Sequence, residues 1–353
     1  MPLLTPERLE DFARNLLAAG GALPHEAETI AASLVDADLR GYDSHGVMRI
    51  PYYVQAIADG EVIPGTKVTT VNEGPSRLTI DGQWAFGQMI MHEVQPRATE
   101  KARETGLCLT SILHAGHIGR LGEYCERAAG EGLVTMLMVN SHGGAVRVAP
   151  PGGVSPRLST NPLAIGVPHG TTPISLDFST SATAEGKVRV KKIAGQQTPE
   201  GWLLDNQGKP TTDPNTLYGS PPGSILPMGG SQSYKGFGLG LMIEILTGAL
   251  SGGVVAGPTP YPRKGNCVFF LLIDPDRFGG ADHFAAEVEK LIGYVRDCPR
   301  VDGCPEILLP GDPERKLLAK RLAEGHRVEE GNWKALCALG EKLGVSPPAV
   351  SGN

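Results

Sequence analysis

Two strand patterns separated by a turn and a helix constrain the fold of this chain most strongly. Residues 107–114 (LCLTSILH) and 133–140 (LVTMLMVN) read as buried strands, and AGHIGRLGEYCERAAGEG between them reads as a glycine-rich turn that continues into a helix. Residues 174–179 (ISLDFS) and 267–274 (CVFFLLID) predict further strands, and helical patterns precede and follow the last of them. The sequence therefore predicts a mixed α/β class.

Both ends of the chain are predicted to be helical. TPERLEDFARNLLAAGG has apolar residues at helical spacing, with Thr5 placed to cap the helix and Pro6 in its first turn. A second helical pattern ends at Gly41, and DSHGVMRIPYY (43–53) is predicted to begin a third helix that Pro51 kinks. We expect an N-terminal helical lobe (1–75), a central α/β region (76–300) and a C-terminal helical segment (301–353) that packs back on the N-terminal lobe. Residues 195–230, rich in Gly, Pro, Asn and Thr, predict a long ordered loop.

Composition and charge exclude several classes of protein. The formal net charge of the 353 residues is −6, and no run of Lys and Arg forms a basic stripe, so the sequence predicts no nucleic-acid partner. The most hydrophobic run, 267–273, is far shorter than the ~20 residues of a membrane span. The N-terminus carries no export pattern, so we expect a cytoplasmic protein. The six cysteines form no CxxC pair, which predicts core thiols and no metal site.

Common catalytic motifs are missing from the sequence. No window matches the dinucleotide-binding pattern GxGxxG, the phosphate-binding GxxxxGK[ST], the metalloprotease HExxH or YxxxK. The hydrolase pattern GxSxG fails at Ser44 because residue 42 is Tyr, and it fails at Ser141 because residue 139 is Val. A serine hydrolase is therefore disfavoured at both copies of the tripeptide SHG.

The first SHG opens a group of polar residues at helical spacing. If 43–53 is one helix, His45, Arg49 and Tyr53 lie along one face of it. An imidazole with an ordinary pKa near ~6.5 exchanges protons at neutral pH, and an arginine one turn away can bind a carboxylate with both nitrogens. A 2-oxo or 2-hydroxy acid needs both groups. The alternative is an ordinary solvated helix face.

A second group surrounds His117 in HAGHIGRLG (114–122). The residue stands between the end of a predicted strand and the start of a helix, where ligands gather in open α/β sheets. Glycines at 116, 119 and 122 let backbone N–H groups approach an anion. The alternative is a tight turn that needs its glycines for conformational reasons.

A third group is SYKGFGLGLMIEILTG, in which Lys235 precedes a glycine-rich helical turn. Gly costs about 1 kcal/mol in a helix relative to Ala, so Gly236, Gly238 and Gly240 indicate close approach of a ligand phosphate or of a neighbouring element. Asp177, at the end of a predicted strand, could accept hydrogen bonds from ribose hydroxyls or cap the following turn. Spacing alone leaves these alternatives open.

Six segments taken in order resemble the malate/L-lactate dehydrogenase type 2 family of NAD(P)-dependent oxidoreductases. They are DSHGVMRIPYY, GHIGRLG, STNPLAIGVP, DFSTSATAEGK, LPMGGSQSYKGFGLGLM and PGDPE, and the resemblance extends from about residue 5 to about residue 325. The resemblance implies a mixed-sheet, non-Rossmann NAD(P)-binding fold with an N- and C-terminal helical lobe, a central region (76–300) that binds the cofactor, and a homodimer. It implies hydride transfer between NAD or NADP and a small 2-hydroxy or 2-oxo acid.

The resemblance also implies roles for individual residues. His45 is expected to donate and accept the proton, His117 is the competing assignment, and the substrate is expected to contact Ser44, Arg49, Tyr53 and Thr160. The residues expected at the cofactor are Asn140, Ser141, Asn161, Asp177, Phe178, Ser179, Thr180, Ser181, Ala182, Thr183, Lys235, Gly236, Gly311 and Asp312.

Two departures from the family pattern bear on the choice of substrate and cofactor. The chain has GGSQSYKG where many members have GGHKG, and AEGK where ARGK is common. A basic run of Arg189, Lys191 and Lys192 could meet the 2′-phosphate of NADP, but a solvated basic strand is the favoured interpretation. Two alternatives to a 2-hydroxy acid dehydrogenase remain: a cyclic imino-acid reductase on the same fold, and a non-catalytic binding protein.

Overall fold

A seven-stranded mixed sheet forms the centre of the molecule in the computed structural model, which describes residues 1–259 and 261–349. Its strand order is β2-β3-β4-β11-β5-β6-β7, and only β3 and β4 run parallel to each other. The strands of the described residues are β1 (Leu3–Leu4), β2 (Thr69–Gly74), β3 (Arg77–Asp81), β4 (Leu107–Ala115), β5 (Val134–Val139), β6 (Pro162–Val167), β7 (Ile174–Ser179), β8 (Leu203–Leu204), β9 (Pro210–Thr211), β10 (Ser224–Ile225), β11 (Asn266–Ile273) and β12 (His326–Arg327).

The α-helices surround this sheet and form the two ends of the chain. They are α1 (Pro6–Ala19), α2 (Pro24–Leu39), α3 (Ile50–Ala58), α4 (Gly87–Thr105), α5 (Leu121–Gly130), α6 (Glu185–Ile193), α7 (Tyr234–Glu244), α8 (Ala281–Arg296), α9 (Asp312–Glu324) and α10 (Glu330–Leu343). None of the helices in the described part of the chain is both long and apolar enough to cross a membrane. The predicted mixed α/β class without a Rossmann strand order is confirmed.

The two faces of the sheet pack against different helices because strand side chains alternate in direction. Val268, Phe270 and Leu272 of β11 join the core formed with α4 and α5. Phe269, between them, packs on the opposite face against Ile243 of α7. The run CVFFLLI is apolar on both faces because both are covered, as expected for a buried strand.

The N-terminal helices begin as the sequence predicts. The backbone N–H of Arg8 donates to Oγ1 of Thr5 at 3.4 Å, and Pro6 occupies the first turn of α1. The buried face of α1 packs against α2, α3 and α10, and the rings of Phe12 and Trp333 lie 5.6 Å apart. Pro51 does not kink a helix: it lies in the first turn of α3, where a missing N–H is tolerated.

Residues 195–230 contain more regular structure than the predicted loop. Strands β8, β9 and β10 form a three-stranded antiparallel sheet, with β8 in the middle. Leu203, Leu217 and Ile225 of this segment pack against Val188 of α6. The strands have two residues each, which is too short to produce an alternating pattern in the sequence.

Candidate active site

The segment 43–49 is two short 3₁₀ turns rather than the predicted start of one helix. Asp43–His45 forms the first turn and Val47–Arg49 the second, and Gly46 between them has extended backbone (φ −89°, ψ −155°). The buried carboxyl group of Asp38 packs against the Cα of Gly46, and its Oδ2 accepts a hydrogen bond of 2.9 Å from the N–H of Val47. Burial raises the pKa of Asp38 well above its ordinary value. Asp38 therefore shapes the turn that carries His45.

The two histidines that the sequence offers as competing assignments lie side by side. The His45 and His117 rings are stacked, with centroids 5.5 Å apart and an interplanar angle of 29°. His45 comes from the turn after α2, whereas His117 follows the carboxyl end of β4. Both rings are half-buried. The expected His-Arg-Tyr row on one helix is wrong: Tyr53 bonds to His117, Arg49 bonds to the backbone of Ser44, and His45 stacks on His117.

Hydrogen bonds fix the first of these histidines. The Ser44 hydroxyl lies 2.9 Å from Nδ1 of His45, and Nε of Arg49 donates to the carbonyl of Ser44 at 2.7 Å. Among the described residues, neither terminal nitrogen of Arg49 has a hydrogen-bond partner. They are free to bind a carboxylate with both nitrogens.

Both histidines are held neutral. Burial, with smaller contributions from the positive charges of Arg49 and Arg120, lowers the pKa of His45 to about 3. Burial, Arg49 and His45 together hold the pKa of His117 well below its ordinary value. The ordinary histidine pKa of ~6.5 therefore does not apply to His45 and His117 in the ligand-free protein.

Tyr53 is buried and contacts His117 directly. Its hydroxyl lies 2.8 Å from Nδ1 of His117 and accepts a 2.9 Å hydrogen bond from Nε2 of Gln88. The backbone N–H of Gly119 donates to the same Nδ1 at 3.2 Å. Tyr53 was expected at the substrate, and the structure places its hydroxyl at Nδ1 of His117. Sequence reasoning missed Gln88 because helix α4 was not recognised.

Asn140 and Asn161 hold the ends of two central strands. Glu244 accepts a hydrogen bond from Nδ2 of Asn140 at 2.9 Å through one oxygen, and from Nδ2 of Asn161 at 2.7 Å through the other. Glu244 is itself buried, and it also accepts the N–H of Ala256. These two amide groups, expected at the cofactor, therefore have framework contacts through their nitrogens.

The second SHG is a tight turn after β5. The Ser141 hydroxyl donates to the carbonyl of Gly144, and the fully buried His142 ring lies 3.0 Å from the Cys267 sulfur through Nδ1. His142 has a left-handed backbone, with φ 48°. The prediction that this copy follows a buried strand is confirmed, and its histidine is enclosed by the core.

The segment 177–183 runs along the edge of the sheet beside the site. Oδ2 of Asp177 accepts the N–H of Gly122 at 2.8 Å, at the start of α5, and burial raises the pKa of Asp177 to about 6. Asp177 lies within β7 rather than at its end. The other residues of this segment expected at the cofactor are Phe178, Ser179, Thr180, Ser181 and Ala182. The hydroxyl groups among them bond to nearby backbone or to each other, and the N–H of Ala182 donates to the carbonyl of Leu226.

Two buried polar atoms near this segment lack partners. Among the described residues, neither Oδ1 of Asn161 nor Oγ1 of Thr183 has a hydrogen-bond partner. Thr160, next to Asn161, accepts the N–H of Thr180 through its carbonyl at 3.0 Å. Buried polar atoms without partners are rare in native proteins and often indicate a bound group. These positions therefore fit a cofactor that supplies hydrogen-bonding groups.

Close packing accounts for two of the three glycines in helix α7. A Cβ on Gly236 would lie 2.5 Å from the Met228 carbonyl, and one on Gly240 would lie 2.8 Å from the Thr180 hydroxyl. A Cβ on Gly238 would meet no described atom within 4 Å, so packing does not explain that glycine. Lys235 is exposed in the first turn of the helix, where backbone N–H groups favour an anion.

Gly311 and Asp312 begin α9. Gly311 has φ 92°, and Asp312 accepts the N–H of Leu309 at 2.8 Å and pairs with Arg315 at 2.5 Å. Asp312 also lines a surface cavity of about 640 Å³ together with Arg296 and Lys316.

The basic run at 189–192 lies on α6 rather than on a strand, and Arg189 there pairs with Glu185 at 3.0 Å.

Arg120 is a buried residue of the site whose role the sequence did not reveal. It is 2% exposed and forms ion pairs with Asp36 at 3.1 Å and with Glu126 at 2.9 Å. In the basic run considered from the sequence Arg189 and Lys192 are exposed, whereas Arg120 is buried in the turn after His117. Only its place in GHIGRLG gave a signal, because isolated arginines are usually on the surface.

Comparisons with known proteins agree with this architecture. The family model described as malate/L-lactate dehydrogenase matches residues 4–337. L-lactate dehydrogenase of Cupriavidus necator is 36% identical over 344 residues, covering 96% of this chain and 97% of that protein. L-sulfolactate dehydrogenase of Methanothermobacter thermautotrophicus is 33% identical over 350 residues, covering 97% of this chain and 98% of that protein.

Solved structures are similar over the same length. A putative malate/lactate dehydrogenase from E. coli superposes with a TM-score of 0.90 at 34% identity, covering 98% of this chain and 96% of that one. The delta1-piperideine-2-carboxylate reductase from Pseudomonas syringae superposes with a TM-score of 0.82 at 30% identity, covering 96% of this chain and 100% of that one.

Proposed function

The chain belongs to the malate/L-lactate dehydrogenase family and is a nicotinamide-dependent 2-hydroxy acid dehydrogenase, and we propose that His45 carries the proton in its reaction. The resemblance seen in six sequence motifs is thereby confirmed. The observation that carries the proposal is the stacked pair of His45 and His117 beside Arg49. When bound, the nicotinamide accepts hydride from C2 of the hydroxy acid or returns it to the oxo acid.

Arg49 binds the substrate carboxylate through its two terminal nitrogens. In the oxidation, neutral His45 accepts the hydroxyl proton as C2 loses hydride, and in the reduction its imidazolium returns that proton to the oxygen. The Ser44 hydroxyl can either donate to Nδ1 of His45 or accept from it, so it accommodates both protonation states of the ring. Nδ1 of His117 receives a backbone N–H, which can only donate, so His117 is the less suitable proton carrier.

The cofactor is proposed to lie along 177–183 and the start of α7. Oδ1 of Asn161 and Oγ1 of Thr183 are buried atoms that need partners, and Lys235 stands at the start of a helix that favours phosphate. Ser141, Gly236, Gly311 and Asp312 remain proposed members of this site, and Ser44 and Thr160 remain proposed at the substrate.

Purified protein should be titrated with NADH and with NADPH by fluorescence, and then assayed with malate, lactate and sulfolactate. Quenching by one cofactor together with turnover of a 2-hydroxy acid supports the proposal and names the cofactor. Absence of binding by both would overturn it. Delta1-piperideine-2-carboxylate belongs in the same panel, because one structural relative is a reductase of that compound.

We also propose that the enzyme is a homodimer. Helix α8 has sixteen residues, of which Ile292 alone is buried in this chain, and Leu291 and Tyr294 are 61% and 80% exposed. The segment after α7 exposes Ile245 and Leu250 in the same way. A helix whose apolar side chains are mostly exposed in the single chain is consistent with burial against a second subunit. Sedimentation at micromolar concentration should give twice the mass of one chain, and a monomer would contradict the proposal.

A cytoplasmic location is proposed as well. Cys108, Cys125 and Cys267 are buried free thiols, which suit a reducing compartment. Cell fractionation with an antibody against the chain tests this directly: recovery in the soluble intracellular fraction is expected, and recovery outside the cell would contradict it.

A further inference from the structure

The backbone around His117 determines which of its nitrogens carries the proton. The N–H of Gly119 points at Nδ1 from 3.2 Å, and an amide N–H can only donate. Nδ1 must therefore offer a lone pair. Because burial and the charge of Arg49 hold the pKa of His117 well below its ordinary value, the ring is neutral. Its single proton then resides on Nε2.

This assignment sets the direction of the next two hydrogen bonds. With no proton on Nδ1, the Tyr53 hydroxyl at 2.8 Å must donate to it, and it shares the single lone pair of Nδ1 with the longer contact from Gly119. Burial raises the pKa of Tyr53, so the hydroxyl keeps the proton that it donates. The Tyr53 oxygen is left as an acceptor, and Nε2 of Gln88 supplies the donor at 2.9 Å. The amide orientation of Gln88 thus follows from the N–H of Gly119.

Among the described residues, the Tyr53 hydroxyl is the one hydrogen-bond partner of the Gln88 nitrogen. Gln88 is fully buried on α4, and its Oε1 has no hydrogen-bond partner among the described residues. A Cβ on Gly119 would lie 3.2 Å from Nε2 of Gln88, so the glycine and the amide are in close contact. A buried glutamine with one oxygen unpaired is unfavourable for stability, and because Gln95 on the same helix shares that feature, the contact with the Tyr53 hydroxyl is what distinguishes Gln88.

We propose that Gln88 and Tyr53 are positioning residues that form a relay to Nδ1 of His117 and lock its Nε2–H tautomer toward the substrate. This proposal depends on the proposed function in one respect: the group that Nε2–H contacts is taken to be the oxygen on C2 of the substrate. His117 then donates a hydrogen bond to that oxygen in both directions without changing its own protonation. Proton transfer is left to His45.

Replacing Gln88 with Glu tests the direction of the relay. A carboxylate at 88 accepts a hydrogen bond from the Tyr53 hydroxyl, so the Tyr53 oxygen offers a lone pair to Nδ1 and opposes the native tautomer. A protonated carboxyl group at 88 can still donate, which restores the native direction. Gln95 provides a matched control, since it is a buried glutamine on the same helix, its Nε2 donates to the Tyr124 carbonyl at 3.0 Å, and its Oε1 likewise lacks a partner.

The readout is ¹⁵N NMR of histidine-labelled enzyme, with the His117 signals identified by their loss in His117→Asn. In the unmodified protein, Nδ1 of His117 is expected to be unprotonated and Nε2 protonated at pH 7. In Gln88→Glu the Nδ1 signal should move toward the protonated position as the pH rises from 6 to 8, whereas in Gln95→Glu it should not. A proton on Nδ1 in the unmodified protein, or equal behaviour of the two variants, would overturn the proposal.

Activity gives the second readout. Turnover of Gln88→Glu should fall about 10-fold or more at pH 8 and recover on acidification, with cofactor affinity unchanged.

If Gln88→Glu does not fold, Tyr53→Phe removes the relay with a smaller change to the side chain. Tyr124→Phe is its control, because the buried Tyr124 hydroxyl donates to the Ile118 carbonyl at 2.6 Å. Tyr53→Phe should lower turnover and leave cofactor affinity unchanged, and equal turnover of both variants would contradict the relay. The NMR result stands even if no substrate is turned over, so it separates failure of the relay from failure of the proposed function.

Discussion

The carboxyl group of Asp38 occupies the space that a side chain on Gly46 would need: a Cβ on Gly46 would lie 1.7 Å from Oδ1 of Asp38. Asp38 belongs to α2 and Gly46 to the turn that carries His45. The contact holds the catalytic turn against the N-terminal helices, and Oδ2 of the same carboxyl group receives the N–H of Val47.

Gly46→Ala is therefore expected to displace the turn. Overpacking of this kind costs about 1–3 kcal/mol of stability, and we expect activity to fall more than stability does, because His45 precedes the substituted residue. Urea unfolding and steady-state assays of the variant check both effects. Gly130→Ala is the control, since a Cβ there meets no described atom within 4 Å. Equal behaviour of the two alanine variants would contradict the role of the contact.

The pH dependence follows from the lowered pKa of His45. Its folded-state pKa is about 3, so the neutral form that accepts a proton persists well below the ordinary value. We expect kcat/KM for the oxidation, which reports the free enzyme, to stay constant from pH 8 to about 5. A decrease centred near pH ~6.5 would show that His45 titrates as an ordinary histidine and would contradict its burial.

Substrate binding should partly reverse this shift. The carboxylate bound by Arg49 offsets the positive charge that contributes to the low pKa of His45. The acidic limb of kcat, which reports the bound complex, should therefore lie at higher pH than that of kcat/KM. Coincident limbs would indicate that the substrate carboxylate binds away from Arg49.

Glu244 is expected to matter for stability. Glu244→Gln replaces one of the two oxygens that accept from the Asn140 and Asn161 amides with an NH₂ group, which leaves two buried donors facing each other at that position. The free energy of unfolding should fall by about 1–3 kcal/mol. Urea unfolding measures it, with the exposed Glu287→Gln as control, and an unchanged unfolding midpoint would show that the two amides do not depend on Glu244.

Lys235 is expected to contribute to cofactor affinity alone. Lys235→Ala removes an exposed positive charge at the start of α7 and should weaken NADH or NADPH binding about 10-fold, as expected for a charged hydrogen bond. The loss should shrink as salt rises, because screening weakens the contact in the unmodified enzyme. Fluorescence titration of Lys235→Ala and of the exposed Lys290→Ala at two salt concentrations tests this; equal affinities would move the phosphate site elsewhere.

The structure brings together three residues that sequence patterns singled out, but in an arrangement that those patterns did not predict. His45, Arg49 and His117 were identified from their neighbours, but helical spacing put Tyr53 in one row with His45. The structure breaks that row at Gly46, because Asp38, which no local pattern connects with the turn, fills the space beside it. Contacts between distant segments determine where a helix is interrupted, and the spacing of residues in the sequence does not reveal those contacts.

Gln88 illustrates what a pattern cannot reveal. A glutamine reads as a solvent-facing position, whereas the structure buries Gln88 completely. The strands were easier to predict, because the apolar runs of β4, β5 and β11 are covered on both faces. The two-residue strands β8, β9 and β10 left no period to detect.

The most direct test of the account compares His45→Asn with His117→Asn in turnover and in NADH or NADPH affinity. We expect His45→Asn to lower turnover by about 100-fold or more, as removal of a general acid and base does, with cofactor affinity nearly unchanged. His117→Asn should retain more activity, because asparagine still offers an N–H to the substrate oxygen. Undiminished turnover in His45→Asn would contradict the account and assign proton transfer to His117.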